Sequence, residues 1–135
     1  MKLLISLLIA VSIASLTGCS NDHISGVYED KNGRIDIIQT SKSTFMFKIL
    51  TVSPTGGHGI GEIAGSSTFY GENKMSTFTD NTYGLCQVTF YFDGKKLVTV
   101  QTGSCGMGLG ANATGKYVKN TSKTPDVITS YSSIK

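Results

Sequence analysis

Leu85-Cys86-Gln87-Val88-Thr89-Phe90-Tyr91-Phe92-Asp93-Gly94-Lys95-Lys96-Leu97-Val98-Thr99-Val100-Gln101-Thr102 is the stretch whose reading decides the fold. Cys86, Val88, Phe90 and Phe92 recur at every second position, and in an extended chain successive side chains point to opposite faces, so these four line one side of a strand. Asp93-Gly94 is a tight-turn dipeptide, and Lys96 to Thr102 resumes with the β-branched residues that suit a pleated surface. The spacing predicts a β-hairpin.

Working outward, the same texture continues in both directions. Gly26-Val27-Tyr28 opens a first strand, and Lys31-Asn32-Gly33 is a turn before the alternating Arg34-Ile35-Asp36-Ile37. Ser43 to Val52 reads as a third strand with Phe45, Phe47 and Ile49 on one face, followed by the turn formers Ser53-Pro54-Thr55-Gly56-Gly57. His58 to Ala64, Thr68 to Tyr70 and Lys74 to Phe78 read as shorter strands, and Ala111 to Lys119 closes the series with Gly115-Lys116-Tyr117. No stretch in this part of the chain carries a helical apolar stripe. About eight short strands joined by hairpin-length turns predict an all-β fold, a small antiparallel up-and-down barrel of lipocalin-like type or a strongly curled sheet. Closing the sheet removes exposed edges, and the Gly-x-Tyr tripeptides at both ends fit first and last strands that meet at the closure.

The N-terminus carries a different signal. Met1-Lys2 is a short basic start, and Leu3 to Leu16 is an apolar run broken only by serines, which is the order of an export signal. The run falls short of the about 20 residues that span a bilayer. Leu16-Thr17-Gly18-Cys19 follows, and it resembles the lipobox of bacterial lipoprotein signal peptides. That resemblance implies a leader over residues 1–18, acylation of Cys19 (palmitate among the chains), and a lipidated tether over 19–24. With Ser20 rather than an aspartate after the cysteine, lipoprotein sorting implies the outer membrane, with the domain facing the periplasm.

Lipid on Cys19 leaves Cys86 and Cys105 as a pair with one connectivity. In an oxidising envelope they are expected to bond. Cys86 starts one hairpin strand and Cys105 ends the other, so folding the hairpin brings them roughly level. The bridge would close a loop of about 20 residues, on the order of 3 kcal/mol in the chain-entropy model.

Without residues 1–18 the 135-residue chain keeps 117 residues, room for one domain with one core. The boundaries read as a β-barrel over 25–119 and a polar, loosely held tail over 120–135. Lys2 departs with the leader, which leaves 11 Lys and Arg against 9 Asp and Glu. Near-neutrality gives no case for nucleic acid.

Candidate chemistry is sparse. Neither His23, in the tether, nor His58, in a glycine-rich loop, sits beside a nucleophile and an orienting third group. His58 and Glu62 alternate onto one face, but two ligands do not make a metal site. Asp36 and Asp93 are not brought to the separation of a glycosidase pair, and Asp93 is accounted for by its turn. Gly103-Ser104-Cys105-Gly106-Met107-Gly108-Leu109-Gly110 superficially resembles a phosphate-cradling loop, yet no helix follows it to supply a dipole. The chain therefore reads as a non-enzyme with no cofactor. The same glycine run is the candidate binding element, presenting Ser104, Gly106, Met107 and Leu109 as backbone donors and small apolar knobs. Equally, it reads as a plain connection whose glycines serve backbone angles. Tyr70, Tyr83 and Tyr91 read as ordinary strand residues before interface anchors.

A lipobox, a domain of roughly a hundred residues, Gly-x-Tyr at start and finish, a late cysteine pair and a glycine-rich loop together look like the small envelope lysozyme inhibitors of bacteria. The resemblance implies an eight-stranded barrel that pushes a loop, serine and backbone donors first, against the catalytic carboxylates of a host or competitor lysozyme. The chain departs from the membrane-bound c-type inhibitor pattern in lacking tryptophan and in placing its Ser-Gly-x-Tyr, Ser25 to Tyr28, in the first strand. Binding and inhibition of a protein partner is thus the leading expectation. The alternatives are a small-ligand-binding barrel, against which the inward Phe45, Phe47, Phe90 and Phe92 argue by filling the lumen, and a structural envelope lipoprotein.

Overall fold

The computed structural model describes residues 23–56, 59–70, 74–82 and 84–126. The leader, Cys19, His58 and Tyr83 lie outside the described residues. Eight antiparallel strands form one nearly closed barrel: β1 (Gly26–Glu29), β2 (Gly33–Gln39), β3 (Thr44–Val52), β4 (Ile60–Thr68), β5 (Met75–Asp80), β6 (Cys86–Asp93), β7 (Lys96–Thr102) and β8 (Gly115–Asn120). Their spatial order is β4-β3-β2-β1-β8-β7-β6-β5. The first and last strands do meet, with Tyr28 opposite Lys119 in the β1–β8 pair.

The incomplete junction is elsewhere, between β4 and β5, where the bridge Phe69↔Ser76 stands in place of a ladder. Side chains seal it. Ser76 Oγ donates to the Thr68 carbonyl at 2.7 Å and bonds the Ser67 hydroxyl, and Phe78 packs edge-on to Phe47, 4.9 Å between centroids. Gly65 makes this approach possible, since a Cβ there would stand 2.6 Å from the Phe78 ring.

The core is the lumen of the barrel. Phe45, Phe47 and Phe90 are fully buried and Phe92 nearly so. Phe45 meets Phe90 and Phe92 edge-on at 5.4 and 5.3 Å, and Phe47 meets Phe90 at 4.8 Å, distances at which aromatic pairs add to simple area burial. Among the described residues the buried apolar ones lie between Ile24 and Tyr117, so a chain beginning at Ser20 contains all of that core.

Two boundaries differ from the sequence reading. Residues 60–64 and Thr68, read as parts of two strands, belong to one, β4, whose inward Gly61, Gly65 and Ser67 are small where large residues were looked for, while Tyr70 lies beyond it. Residues 111–114 are not strand. Instead Thr99 and Gln101 bind this segment through side chains, with the Ala113 amide donating to Gln101 Oε1 at 2.7 Å and Thr114 Oγ1 accepting the Gln101 amide at 2.8 Å.

The start of the tail differs as well, and residues 127–135 lie outside the described residues. Residues 121–126 fold back across the outside of β1 and β2. Lys123 pairs with Glu29, Arg34 Nη2 donates to the Thr124 carbonyl at 3.3 Å, and the Asp126 amide donates to Asp36 Oδ2 at 3.0 Å. Burial by itself would raise Asp36, but the Arg34 guanidinium and the bonds from Asp126 outweigh it and hold the carboxyl below its ordinary value. Sharing that site pushes Asp126 up.

Candidate functional site

An up-and-down meander sends alternate connections to the same end of the barrel, and here the two ends are chemically unlike. One end, the tether end, gathers His23 to Ser25 with the β2–β3, β4–β5 and β6–β7 turns and the exit from β8. Lys42, Lys74, Lys95, Lys96 and Lys119 stand there, with Asp93 as the acid at that rim among the described residues. The other, the loop end, carries the β1–β2 turn and residues 53–59, 81–85 and 103–114. Those last three connections contain no Lys, Arg, Asp or Glu.

The glycine run 103–110 lies across the loop end, and its position is fixed at both sides. On one side Cys86 and Cys105 are bonded, their Cα atoms 4.5 Å apart. Gly103, at φ +85°, passes so close to the Leu85 carbonyl that any Cβ would run into it. Cys105 itself adopts φ +54°, uncommon for a residue with a side chain, and the cross-link holds it there. On the other side the Gly108 amide donates to the Ile60 carbonyl at 3.1 Å, and Gly59 and Gly110 give the clearance against Leu109 and Ser53. The run therefore straps β6 to β4 across the β4–β5 seam.

The four residues singled out from the sequence separate in this geometry. Ser104 and Gly106 are exposed, and Leu109, 94% exposed, stands at the crest. Met107 does not project. It turns down against the core beside Gly61, half-buried, with Thr51 Oγ1 donating to its sulfur at 3.8 Å. A Met so placed fills the irregular gap under the strap. Val52 and Ile60, register partners at the ends of β3 and β4, extend the apolar crest at 49% and 68% exposure. Sequence reading missed them because they sit at the outward positions of strands whose inward residues drew attention. The rule that alternate loops share an end would have grouped them with Leu109.

Other sequence candidates are not assembled into a site. Asp36 is committed to Arg34, whose Nε and Nη2 reach its carboxylate at 2.6 and 3.0 Å on the outside of β2, while Asp93 ends β6 at the tether end. Among the described residues no group of three or more His, Cys, Asp or Glu is placed to hold a metal ion. Tyr91 faces outward on β6 opposite Val98 of β7 and Met75 of β5, and Tyr70 is exposed beside the seam.

The buried tyrosines of the two Gly-x-Tyr tripeptides do related work at opposite ends. Tyr28 donates to the Ile24 carbonyl at 2.8 Å and Tyr117 to the Ala113 carbonyl at 3.0 Å, each four residues back. Burial pushes both phenols up to about 12. One bond ties down the segment entering β1, the other the segment entering β8.

No family model matches the chain, and neither the curated proteins nor the solved structures hold a match to it.

Proposed function

We propose that this is a lipid-anchored envelope protein of the outer membrane, facing the periplasm, that binds a protein partner through the strap at its loop end, with a lysozyme as the first candidate for inhibition. One observation carries the reading. The neutral, glycine-rich strap with Leu109 at its crest stands at the end of the barrel opposite the segment that leads back to Cys19. A strand of seven to nine residues separates the two ends, roughly 20–30 Å. A lipid on Cys19 would thus hold the tether end to the bilayer and present the strap away from it.

The surface suits insertion into a cleft. It carries no charge in its three longer connections, so it enters a pocket without the penalty of stripping water from ions. Its backbone is already fixed by the disulfide and the Gly108–Ile60 bond, so little ordering remains to be done on binding. The ring-filled lumen favours this reading over a small-ligand carrier, which needs an open interior.

The test uses the chain from Ser20 onward, titrated against c-type, g-type and i-type lysozymes while peptidoglycan lysis is followed. Inhibition of one class is expected, weakened about tenfold or more by Leu109→Asp, the loss of one well-placed apolar anchor. No inhibition of any class at micromolar protein removes the lysozyme from the reading.

A further inference from the structure

At the tether end a cavity of about 240 Å³ opens between the N-terminal segment and the β6–β7 turn. Its floor is Ile24 and Phe92, and Lys74, Lys95 and Lys119 stand around it. Among the described residues no carboxylate lines it. The backbone under each lysine is held in place: the Lys74 carbonyl accepts the Phe92 amide at 2.9 Å, and the Lys95 carbonyl accepts the Lys119 amide at 2.7 Å.

The Lys119 side chain is built into the wall. It runs over Gly26, where any Cβ would collide with it, passes 5.7 Å over the Tyr28 ring and donates to the His23 carbonyl at 2.9 Å. Desolvation, with Lys95 nearby, pushes its pKa below the ordinary lysine value. An anion placed in the cavity would offset both effects.

We infer that this cavity is a binding site for a phosphate group, and that the phosphate is the headgroup of an anionic lipid in the membrane to which the chain is tethered. The chemistry fits phosphate: Lys95 and Lys119 supply ammonium donors at the wall of a recess whose apolar floor would admit the glycerol end of a headgroup. Position selects the lipid as its source. His23, at the cavity, lies four residues after Cys19, a reach of about 14 Å at most, so an acylated Cys19 brings the cavity to the headgroup layer. The choice of lipid over free phosphate rests on the lipid-anchor reading of the preceding section; the phosphate site itself does not.

The experiment keeps the two apart by using the unlipidated chain from Ser20 onward, with K95Q/K119Q as the variant and K95R/K119R as the conservative control. Sedimentation with phosphatidylglycerol vesicles is expected to exceed that with phosphatidylcholine vesicles. K95Q/K119Q should lower the phosphatidylglycerol partition by a factor of about 25, since each lysine at an anionic surface is worth about fivefold, while the arginine variant keeps it. Inorganic phosphate is titrated in parallel, followed by the amide resonances of Lys95, Lys119 and Thr121.

Saturable shifts with phosphate, together with variant-sensitive vesicle binding, establish the headgroup site. Saturable shifts with phosphate and no vesicle preference support the phosphate site and overturn the lipid as its source. Vesicle binding that K95Q/K119Q leaves unchanged overturns the proposal, as does the absence of saturable shifts in a variant-matched titration. Mass analysis of Cys19 in membrane-extracted protein tests the anchor on its own, so a missing lipid there is distinguishable from a missing site here. Should K95Q/K119Q unfold, K95Q alone serves, because Lys119 rather than Lys95 bonds the His23 carbonyl.

Discussion

The two ends of the barrel are made from the same strands and solve opposite problems. At the tether end the turns are short and lysine-bearing, and order comes from the ladder running through Lys74, Phe92, Lys95 and Lys119. At the loop end three of the four connections are uncharged, and order comes from a cross-link and from glycines that let backbone approach backbone. The difference teaches that a β-barrel of this size keeps its strands for the core and assigns its chemistry by end. A basic rim suits an anionic surface, and a neutral crest suits a cleft.

The largest expected effect should not distinguish the ends. Phe90 sits in the middle of the lumen among Phe45, Phe47 and Phe92, and Phe90→Ala is expected to cost about 3–5 kcal/mol through lost burial and the cavity left behind. Urea unfolding monitored separately at Lys119 and at Leu109 should give coincident transitions. Separate transitions would break the comparison by making the ends independent folding units.

Removing the cross-link sharpens it. Cys86→Ala/Cys105→Ala frees a loop closed over a sequence separation of 19 residues, with an expected loss of about 3 kcal/mol. The loss is local in kind. Amides of Met107 and Gly108 should exchange faster, since the strap then hangs on the Gly108–Ile60 bond and the Met107 packing without its covalent tie, while the Phe92 and Lys119 amides keep their relative protection. Uniform acceleration at both ends would show that the disulfide acts only on the unfolded chain.

How far this division was legible beforehand depended on what each residue announces locally. The β6–β7 hairpin could be read because Val88, Phe90 and Phe92 alternate without interruption and Asp93-Gly94 marks the turn. β4 could be read only in pieces, because three of its inward positions, Gly61, Gly65 and Ser67, are small where Met107, Phe78 and Ser76 come close, and Ile63 alone is large. Pattern reading looks for large apolar residues, and a strand that receives its neighbours' side chains shows few. The glycine run was visible as special, but its composition does not say that Met107 points inward while Leu109 points out. The lysines were spread over three connections and the ends of β7 and β8, and only the sheet order gathers them.

The tyrosine pair tests each end in turn with a smaller effect. Tyr28→Phe removes the bond that holds Ile24 at the tether end, and Tyr117→Phe removes the one that holds Ala113 at the loop end, each expected to cost about 1 kcal/mol. The pH dependence has a defined sign. Both phenols are acids whose folded-state pKa is raised to about 12, so their contribution is complete below the ordinary tyrosine value of about 10 and fades as pH rises from there towards 12. Phenolate absorbance should show two tyrosines titrating late, one fewer in each Phe variant, and chemical-denaturation stability should fall over the same window.

The smallest expected effect on stability separates structure from recognition at the loop end. Leu109 is 94% exposed, so Leu109→Ser forfeits almost no burial and should leave the unfolding midpoint within about 0.5 kcal/mol of the parent. Met107→Ser, two residues away, is expected to cost more, about 1–2 kcal/mol, because the Met side chain fills the gap beside Gly61 and accepts from Thr51. If the crest is there to be bound, Leu109→Ser weakens partner association at unchanged stability. Met107→Ser should weaken association only as far as it loosens the strap, and a cross-linked strap loosens little. Equal losses of association in the two variants would mean that the strap's shape, and not its apolar crest, is what the partner reads.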